Sequence, residues 1–296
     1  MSKFLGQAIN GPRRLRELLA AGEPVLAPGV YDALGARLVE EAGFEAVYMT
    51  GFGTAASLLG RPDVGLVTMP EMVGNARRIA GACALPVIAD ADTGYGNAIN
   101  VIRTVREYEQ AGVAGIHIED QVAPKKCGHM EGKQVVPAEE MLTKIRAAVT
   151  ARQSPDFVII ARTDARAVEG LTAAIDRARR YRDAGADVLF VEAATSDQEI
   201  ETVASQLAGT PLLFNWAEGG KTPPVPYERL RDLGFAIVIF PISTLLTATA
   251  AIRQALAEIA EARTPIPIMD RMPGFAEFLD FIGLPEITEL EQRFLS

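Results

Sequence analysis

A repeated unit constrains the fold of this chain most: a helical pattern ends at glycine, and a short apolar run follows directly. Gly43, Gly112, Gly185 and Gly234 each end such a pattern, and glycine suits the left-handed position that closes a helix. Most of the apolar runs are continuous rather than alternating, as expected for parallel strands buried on both faces. Eight of them recur along the chain: residues 25–28, 46–50, 86–92, 115–120, 157–164, 188–192, 211–215 and 236–241.

Eight strands separated by helical patterns predict an α/β fold, the (β/α)8 or TIM barrel. The rival architecture is a doubly wound open sheet, which normally carries a glycine-rich dinucleotide turn after an early strand. Residues 51–56 lack the last glycine of that turn and its acidic ribose partner. We therefore predict a single barrel domain over residues 1–296, in which residues 264–296 form a C-terminal helical extension.

Composition narrows the functional class and the compartment. The formal net charge of −9 argues against nucleic acid or an anionic membrane as the main partner. The two cysteines, Cys83 and Cys127, make a disulfide framework improbable, which fits a reducing compartment. The N-terminus lacks the apolar core of a signal peptide, and no apolar run approaches the length of a membrane span. We expect a soluble, cytoplasmic protein.

In a barrel of this type the chemistry lies at the carboxyl ends of the strands. There Asp90 and Asp92 are two residues apart, so both side chains are expected to point from the strand into the mouth of the barrel. Together with Glu119 they would form an all-oxygen pocket, which favours Mg²⁺ or Mn²⁺. In the alternative, one aspartate caps the next helix and the other pairs with Arg162.

A loop after the fourth predicted strand places Cys127 close to Lys125, Lys126 and His129. Cations next to a thiol lower its pKa, so this thiol is predicted to exchange a proton near neutral pH. A nucleophilic cysteine–histidine pair is the alternative, and it would need an oxyanion hole and an acyl-type substrate. Two cysteines and two histidines are too few for a probable closed zinc site. Cys83 lies in a small apolar context and is expected to pack in the core.

Arg162 lies in a run of β-branched residues, so its stem is expected to be buried. Its planar charged fork suits a substrate carboxylate. A structural ion pair with Glu192 or Asp164 is the alternative, and the two roles are compatible. His117 alternates with Glu119 on one face of a strand, where it could donate a hydrogen bond to a metal-binding carboxylate.

The residues assembled above resemble the isocitrate lyase/phosphoenolpyruvate mutase superfamily over nearly the whole chain. The Lys-Lys-Cys-Gly-His loop is similar to the signature of its carbon–carbon lyase branch, whereas the phosphonate mutases and hydrolases carry a different loop without this cysteine. The resemblance rests on motifs at residues 48–51, 59–63, 90–96, 117–121, 125–129, 161–164 and 215–220.

This resemblance implies a Mg²⁺-dependent barrel, with Mn²⁺ as a possible substitute. The metal site would use Asp90 and Asp92, with Asp63 and Glu119 in the coordination shell or bound through its waters. The resemblance also implies a homo-oligomer, a tetramer built as a dimer of dimers, in which the last helix is swapped between subunits.

The resemblance assigns roles to the remaining site residues. Cys127 would be the general acid, on a loop that closes over the substrate, and Tyr48 and Glu119 are candidates for the base. Lys125 and His129 also belong to the predicted catalytic set. The predicted substrate-binding residues are Thr50, Gly51, Phe52, Gly128, Arg162, Glu192, Asn215, Trp216, Ala217 and Ser243.

The implied reaction is retro-Claisen cleavage of a 2-hydroxy dicarboxylate to an α-keto acid and a short carboxylic acid. The methylisocitrate lyases use two arginines for a third carboxylate, and those positions here resemble Leu246 and Phe275, which suit an alkyl group. We therefore predict a 2,3-dimethylmalate or 2-alkylmalate type of substrate. The alternatives are 2-methylisocitrate lyase, since Arg271 could reach a third carboxylate, oxaloacetate hydrolase, a phosphonate-type transferase and a non-catalytic metabolite-binding barrel.

Overall fold

The computed structural model describes residues 10–295, so residues 1–9 and 296 of the predicted domain lie outside the described residues. Eight parallel strands pair in chain order, and the last strand pairs with the first, so that the sheet closes into a barrel. Closure confirms the predicted (β/α)8 barrel and excludes the open sheet. The strands are β1 Val25–Val30, β2 Val47–Met49, β3 Val87–Asp90, β4 Gly115–Glu119, β5 Val158–Thr163, β6 Val188–Val191, β7 Leu212–Asn215 and β8 Phe235–Phe240.

Helices precede β1 and fill every connection between the strands, as parallel pairing requires. Several of these helices end at a glycine with positive φ, among them Gly43, Gly112, Gly185 and Gly234. The helices of this part of the chain are α1 Gly11–Ala20, α2 Ala33–Glu41, α3 Gly51–Leu59, α4 Met69–Ala82, α5 Ala98–Gln110, α6 Ala138–Ala151, α7 Arg166–Glu169, α8 Leu171–Asp183, α9 Asp197–Gln206 and α10 Tyr227–Asp232.

The apolar residues of the strands divide between two buried clusters. Alternate strand residues such as Ile88 and Ile160 face the barrel interior, where Leu15 and Leu18 of α1 join them. The intervening residues, such as Ile159, pack outward against the surrounding helices. Burial on both faces explains why the strands read as continuous apolar runs, and it leaves the polar side chains at the strand ends.

The described residues form two compact units, a first unit of residues 10–244 and a second unit of residues 245–295. The second unit contains most of α11 Ser243–Ala262, a 3-10 helix Ile266–Arg271, and the helices α12 Phe275–Ile282 and α13 Leu284–Phe294. Within it, Arg271 pairs with Glu258 at 2.5 Å. The predicted C-terminal extension from residue 264 and its exchange between subunits stay predictions. No helix within residues 10–295 is long and apolar enough to cross a membrane.

Candidate active site

A cavity of about 240 Å³ lies at the carboxyl ends of the strands, entirely within the first unit. Twelve predicted site residues line it: Tyr48, Thr50, Phe52, Asp63, Asp90, Cys127, Gly128, His129, Arg162, Glu192, Asn215 and Ala217. Six others are absent from its lining: Gly51, Asp92, Glu119, Lys125, Trp216 and Ser243. The lining also includes residues that the prediction did not select: Met130, Glu218, Gly219, Gly220, Pro241 and Ile242.

The geometry of Asp90 and Asp92 differs from the prediction. Strand β3 ends at Asp90, and Asp92 follows with a φ of 46°. The argument that both project from one strand face is therefore wrong for Asp92, because the backbone has already turned. The Asp92 amide donates to Asp90 Oδ1 at 2.9 Å. The alternative, in which one of the two aspartates caps the next helix, is also wrong. Asn97 caps that helix by accepting from the Ile99 and Asn100 amides.

Lys125 balances the acids that the sequence left without an obvious cation. Its Nζ lies 2.6 Å from Asp63 Oδ2 and 2.9 Å from Asp92 Oδ1, and the residue is only 3% exposed. Burial acts to lower the pKa of Lys125, but Asp92, Asp90 and Asp63 together raise it well above its usual value. The ammonium is therefore charged and neutralises part of this cluster.

The acids fit a magnesium ion held by one or two carboxylates and by water. Within residues 10–295, no three His, Cys, Asp or Glu side chains are arranged to hold a metal, but Mg²⁺ commonly uses one or two carboxylates and keeps several waters. Asp90 and Asp63 both line the cavity. The Oε2 of buried Glu119 is paired with Arg162 Nη1 at 3.1 Å, whereas its Oε1 has no hydrogen-bond donor among the described residues. Such an oxygen suits the water molecules of a hydrated cation.

The Asp90 carboxylate is also kept anionic. Burial alone would raise its pKa, but His117, Lys125 and Arg162 lower it. A Cβ at position 51 would meet Asp90 Oδ2 at 2.3 Å. Only glycine at position 51 therefore leaves room for this carboxylate, although Gly51 does not itself line the cavity.

Arg162 sits among three buried carboxylates. Its Nε lies 2.9 Å from Asp164, its Nη1 3.1 Å from Glu119 and its Nη2 3.6 Å from Glu192. The predicted ion-pair alternative is thus present while Arg162 still lines the cavity. Burial raises the pKa of Glu119 well above its usual value despite Arg162. For Glu192, burial would raise the pKa, but Arg162, His129 and Lys133 together lower it.

Tyr48 and His117 form a buried pair, with Tyr48 Oη 2.8 Å from His117 Nε2. His117 Nε2 also lies 3.5 Å from Asp90 Oδ1. Burial lowers the pKa of His117 to about 4, so the imidazole is neutral at pH 7. Burial, reinforced by Asp90, raises the pKa of Tyr48 well above its usual value. A phenol that holds its proton this firmly suits a hydrogen-bond donor better than the predicted base.

The thiol of Cys127 differs from its predicted state. Lys125 is engaged by Asp63 and Asp92, and Lys126 Nζ donates to the Glu131 carbonyl at 3.4 Å. The idea that these lysines lower the pKa of Cys127 is therefore wrong. Burial raises this pKa, and the His129 backbone amide and Arg162 oppose that shift only in part. A thiol that stays protonated is the form that an acid requires.

His129 is directed away from the role of a base for Cys127. Its Nδ1 accepts from the Lys221 amide at 2.9 Å, so its proton lies on Nε2. That nitrogen is 3.2 Å from Glu192 Oε1. Because both ring nitrogens have partners, the geometry argues against the cysteine–histidine nucleophile.

Some of the residues at the ends of β7 and β8 line the cavity, and others turn away from it. Asn215 donates to Glu192 at 3.1 Å, and its Oδ1 is buried without a donor among residues 10–295. Trp216 instead donates its indole N–H to the Val225 carbonyl at 3.0 Å, which turns it from the cavity. Ser243 donates to Glu218. Glu218 lies within the motif at residues 215–220 that carried the resemblance, so a closer reading of that motif could have found it.

The comparisons with known proteins agree with this fold and site. The family model described as phosphoenolpyruvate phosphomutase matches residues 15–260. The chain therefore belongs to this family, within the phosphoenolpyruvate mutase/isocitrate lyase superfamily of barrels.

Two relatives share about half of their residues with this chain. A 2,3-dimethylmalate lyase of Eubacterium barkeri is 48% identical over 97% of this chain and 99% of its own length. A 2-methylisocitrate lyase of Aeropyrum pernix is 48% identical over 91% of this chain and 86% of its own length.

Two solved structures have the same fold. A crystal structure of 2,3-dimethylmalate lyase has a TM-score of 0.92 and 43% identity, covering 97% of this chain and 96% of that one. Oxaloacetate acetylhydrolase in complex with 3,3-difluorooxalacetate has a TM-score of 0.91 and 41% identity, covering 99% and 98%.

Proposed function

We propose that this protein is a Mg²⁺-dependent carbon–carbon lyase. It cleaves a 2-hydroxy dicarboxylate of the 2,3-dimethylmalate or 2-alkylmalate type to an α-keto acid, such as pyruvate, and a short carboxylic acid. The observation that carries the proposal is one cavity lined by the anionic Asp90 carboxylate, the Arg162 guanidinium and the protonated Cys127 thiol. Family membership and the names of the most similar relatives support it.

Asp90 and Asp63 would hold the ion, with Asp92 and Glu119 acting through its waters. A bound Mg²⁺ lowers the pKa of a coordinated hydroxyl and polarises the neighbouring carboxylate. Arg162 binds the other carboxylate and stabilises the negative charge that develops there as the carbon–carbon bond breaks. Glu119, the candidate base that remains, would accept the proton of the substrate hydroxyl, and Cys127 would then donate its own proton to the carbanion carbon. The loop that carries Cys127 excludes water.

The cavity favours a substrate with two carboxylates and an alkyl group. Among residues 10–295, Arg162 is the only lysine or arginine in the lining, and Glu218 adds a negative charge. Phe52, Ala217 and Ile242 supply apolar surface. A third desolvated carboxylate would lack a cation there, which costs free energy. 2-Methylisocitrate, which has three carboxylates, is therefore a second candidate. Oxaloacetate, a dicarboxylate without an alkyl group, is another, and the names of similar proteins support both.

A substrate panel tests this function. Purified protein is assayed with 2,3-dimethylmalate, 2-methylisocitrate, oxaloacetate and phosphonopyruvate, each with Mg²⁺ and with EDTA. We expect the highest kcat/KM for the alkylmalate and loss of turnover in EDTA. Cys127→Ser should lower kcat by about 100-fold or more, whereas Cys83→Ala, the other thiol, should not. Preferred turnover of 2-methylisocitrate would contradict the substrate assignment.

We also infer that the protein is a homotetramer, because its resemblance to the lyase branch implies that assembly. A cytoplasmic location is proposed because the two cysteines fit a reducing compartment. Sedimentation equilibrium should give four times the chain mass of 31.7 kDa. A monomer mass at micromolar concentration would contradict the exchange of the last helix between subunits.

A further inference from the structure

The segment of residues 121–136, named here the Cys127 loop, connects β4 to α6 and is closed at its base. Gln121 and Val135 form an isolated antiparallel bridge, and the Val122 amide donates to the Gln134 carbonyl at 2.9 Å. The base therefore fixes where the loop leaves the barrel. It does not by itself fix the tip that carries Cys127.

One buried side chain braces the tip. Lys133 is 8% exposed, and its Nζ donates both to the Gly128 carbonyl and to Asp164 Oδ1, the latter at 2.8 Å. Gly128 directly follows Cys127. The ammonium thus joins the backbone beside the reactive thiol to the end of β5.

Asp164, the acceptor at the β5 end of this contact, is held in place by partners other than Lys133. Asp164 accepts from Arg162 Nε at 2.9 Å and from Nη2 at 3.1 Å. Its amide donates to Asp120 Oδ1 at 2.8 Å. Because Arg162 already pairs with Asp164, loss of Lys133 does not leave that carboxylate alone. What loss of Lys133 does remove is the contact with the Gly128 carbonyl.

The tip of the Cys127 loop lies very close to Arg162 and Glu192, two residues of the predicted substrate-binding set. A Cβ on Gly128 would lie 2.5 Å from Arg162 Nη2 and 2.7 Å from Glu192 Cδ. Small movements of this backbone would therefore change the distance from the thiol to any molecule held by Arg162. A misplacement of about 1 Å can cost about 100-fold in rate.

We propose that Lys133 is a positioning residue, which holds the Cys127 loop over the cavity by joining the Gly128 carbonyl to Asp164. The proposal rests on the proposed function for its catalytic consequence but not for its structural part. A charge-assisted hydrogen bond is worth about 1.5–3 kcal/mol, which is about 10- to 100-fold in an equilibrium. Without Lys133 the loop should open more often, and the thiol should be more accessible and less well placed.

The test uses Lys133→Met, with Lys126→Met as the matched control. Lys126 is in the same loop, but its Nζ donates to the Glu131 carbonyl at 3.4 Å, a hydrogen bond on the exposed side of the loop. In a Cys83→Ala background Cys127 is the one thiol, and its alkylation rate by iodoacetamide is measured in Mg²⁺ without substrate. We expect a rise of about tenfold for Lys133→Met and less than about twofold for Lys126→Met, since that contact is exposed.

Steady-state kinetics provide the second measurement. Lys133→Met should lower kcat by about 10- to 100-fold and leave product inhibition by pyruvate unchanged, because the keto acid binds on the metal side. Lys133→Arg keeps the charge and a donor, so it should recover part of the rate, and it replaces Lys133→Met if that variant does not fold. Unchanged alkylation and unchanged kcat in a folded variant would overturn the proposal. Faster alkylation in a protein with no lyase activity would instead overturn the proposed function alone.

Discussion

At the scale of single residues, the charge state of the cavity depends on partners distant in sequence. Lys125 and Asp63 are 62 positions apart, yet their side chains are 2.6 Å apart and buried. The sequence identified Asp63 and Lys125 as site residues, but it could not show that their side chains form an ion pair. For the same reason the thiol was expected to be activated by lysines that bind elsewhere. Only the packed structure shows that burial dominates the pKa of Cys127.

The raised pKa of Cys127 makes a pH prediction. Burial favours the neutral thiol, so the thiolate should form only above the pH at which an ordinary cysteine titrates. The rate of Cys127 alkylation in a Cys83→Ala protein should therefore rise with a midpoint above that of the same thiol in urea. A midpoint below the urea value would restore the lysine-activated thiolate that the sequence suggested.

The close approach at Gly128 makes a second prediction for a single residue. Replacement by alanine would place a methyl group 2.5 Å from Arg162 Nη2, closer than atoms can approach. Gly128→Ala should shift the loop away from the cavity, raise KM and lower kcat, with a combined loss of about 100-fold in kcat/KM. Wild-type kcat/KM for this variant would mean that the loop does not pack on Arg162 during the reaction.

At the scale of elements, the apolar pattern predicted the positions of the strands and helices well and the ends of the strands less well. All eight strands lie where the apolar runs predicted them. The helical patterns of the sequence predict helices over residues 98–111, 138–150, 171–184 and 227–233, and α5, α6, α8 and α10 match these ranges to within one residue. Strand β3, however, stops at Asp90, two residues before the end of the run. Hydrophobicity reports burial, and residues 91 and 92 are buried after the backbone has left the sheet. The pattern therefore could not separate strand from the buried turn that follows it.

Helix α4 provides a prediction at this scale. Gly74 and Gly81 lie within it, and a Cβ at either position would meet no atom within 4 Å. Alanine loses less backbone entropy than glycine when a helix forms, so Gly74→Ala and Gly81→Ala should each raise the free energy of unfolding by about 0.5–1 kcal/mol. Chemical denaturation measures this change. A loss of stability would show that another surface packs against α4 in the assembled protein.

At the scale of the whole molecule, barrel closure determines which distant residues meet. Each strand of a parallel barrel ends at the same rim, so an acid after β3 and an arginine on β5 come together without any local signal between them. This topological rule explains why twelve predicted residues share the cavity lining. The rule predicts which residues lie at the rim, but it does not predict where the side chains point once the strands have ended. Trp216 shows the difference, because it follows β7 yet turns toward Val225.

The proposed metal makes a prediction about the folded state as a whole. An ion that binds only the folded protein stabilises it, by about 2.7 kcal/mol when the ion concentration is 100 times its Kd. For a chain of this length that is a rise of about 5 °C or more in Tm. Mg²⁺ should therefore raise the Tm of the wild type, and EDTA should reverse the effect.

Asp90→Asn separates this linkage from general salt effects. The variant keeps an oxygen that can accept from the Asp92 amide but loses the charge that Mg²⁺ needs, so Mg²⁺ should no longer raise its Tm. Asp32→Asn is the matched control. Asp32 caps α2 by accepting from the Gly35 amide at 2.7 Å, a role that asparagine also fills. If Mg²⁺ stabilises Asp90→Asn as much as Asp32→Asn, the ion does not bind through Asp90, and the metal must be sought elsewhere on the rim.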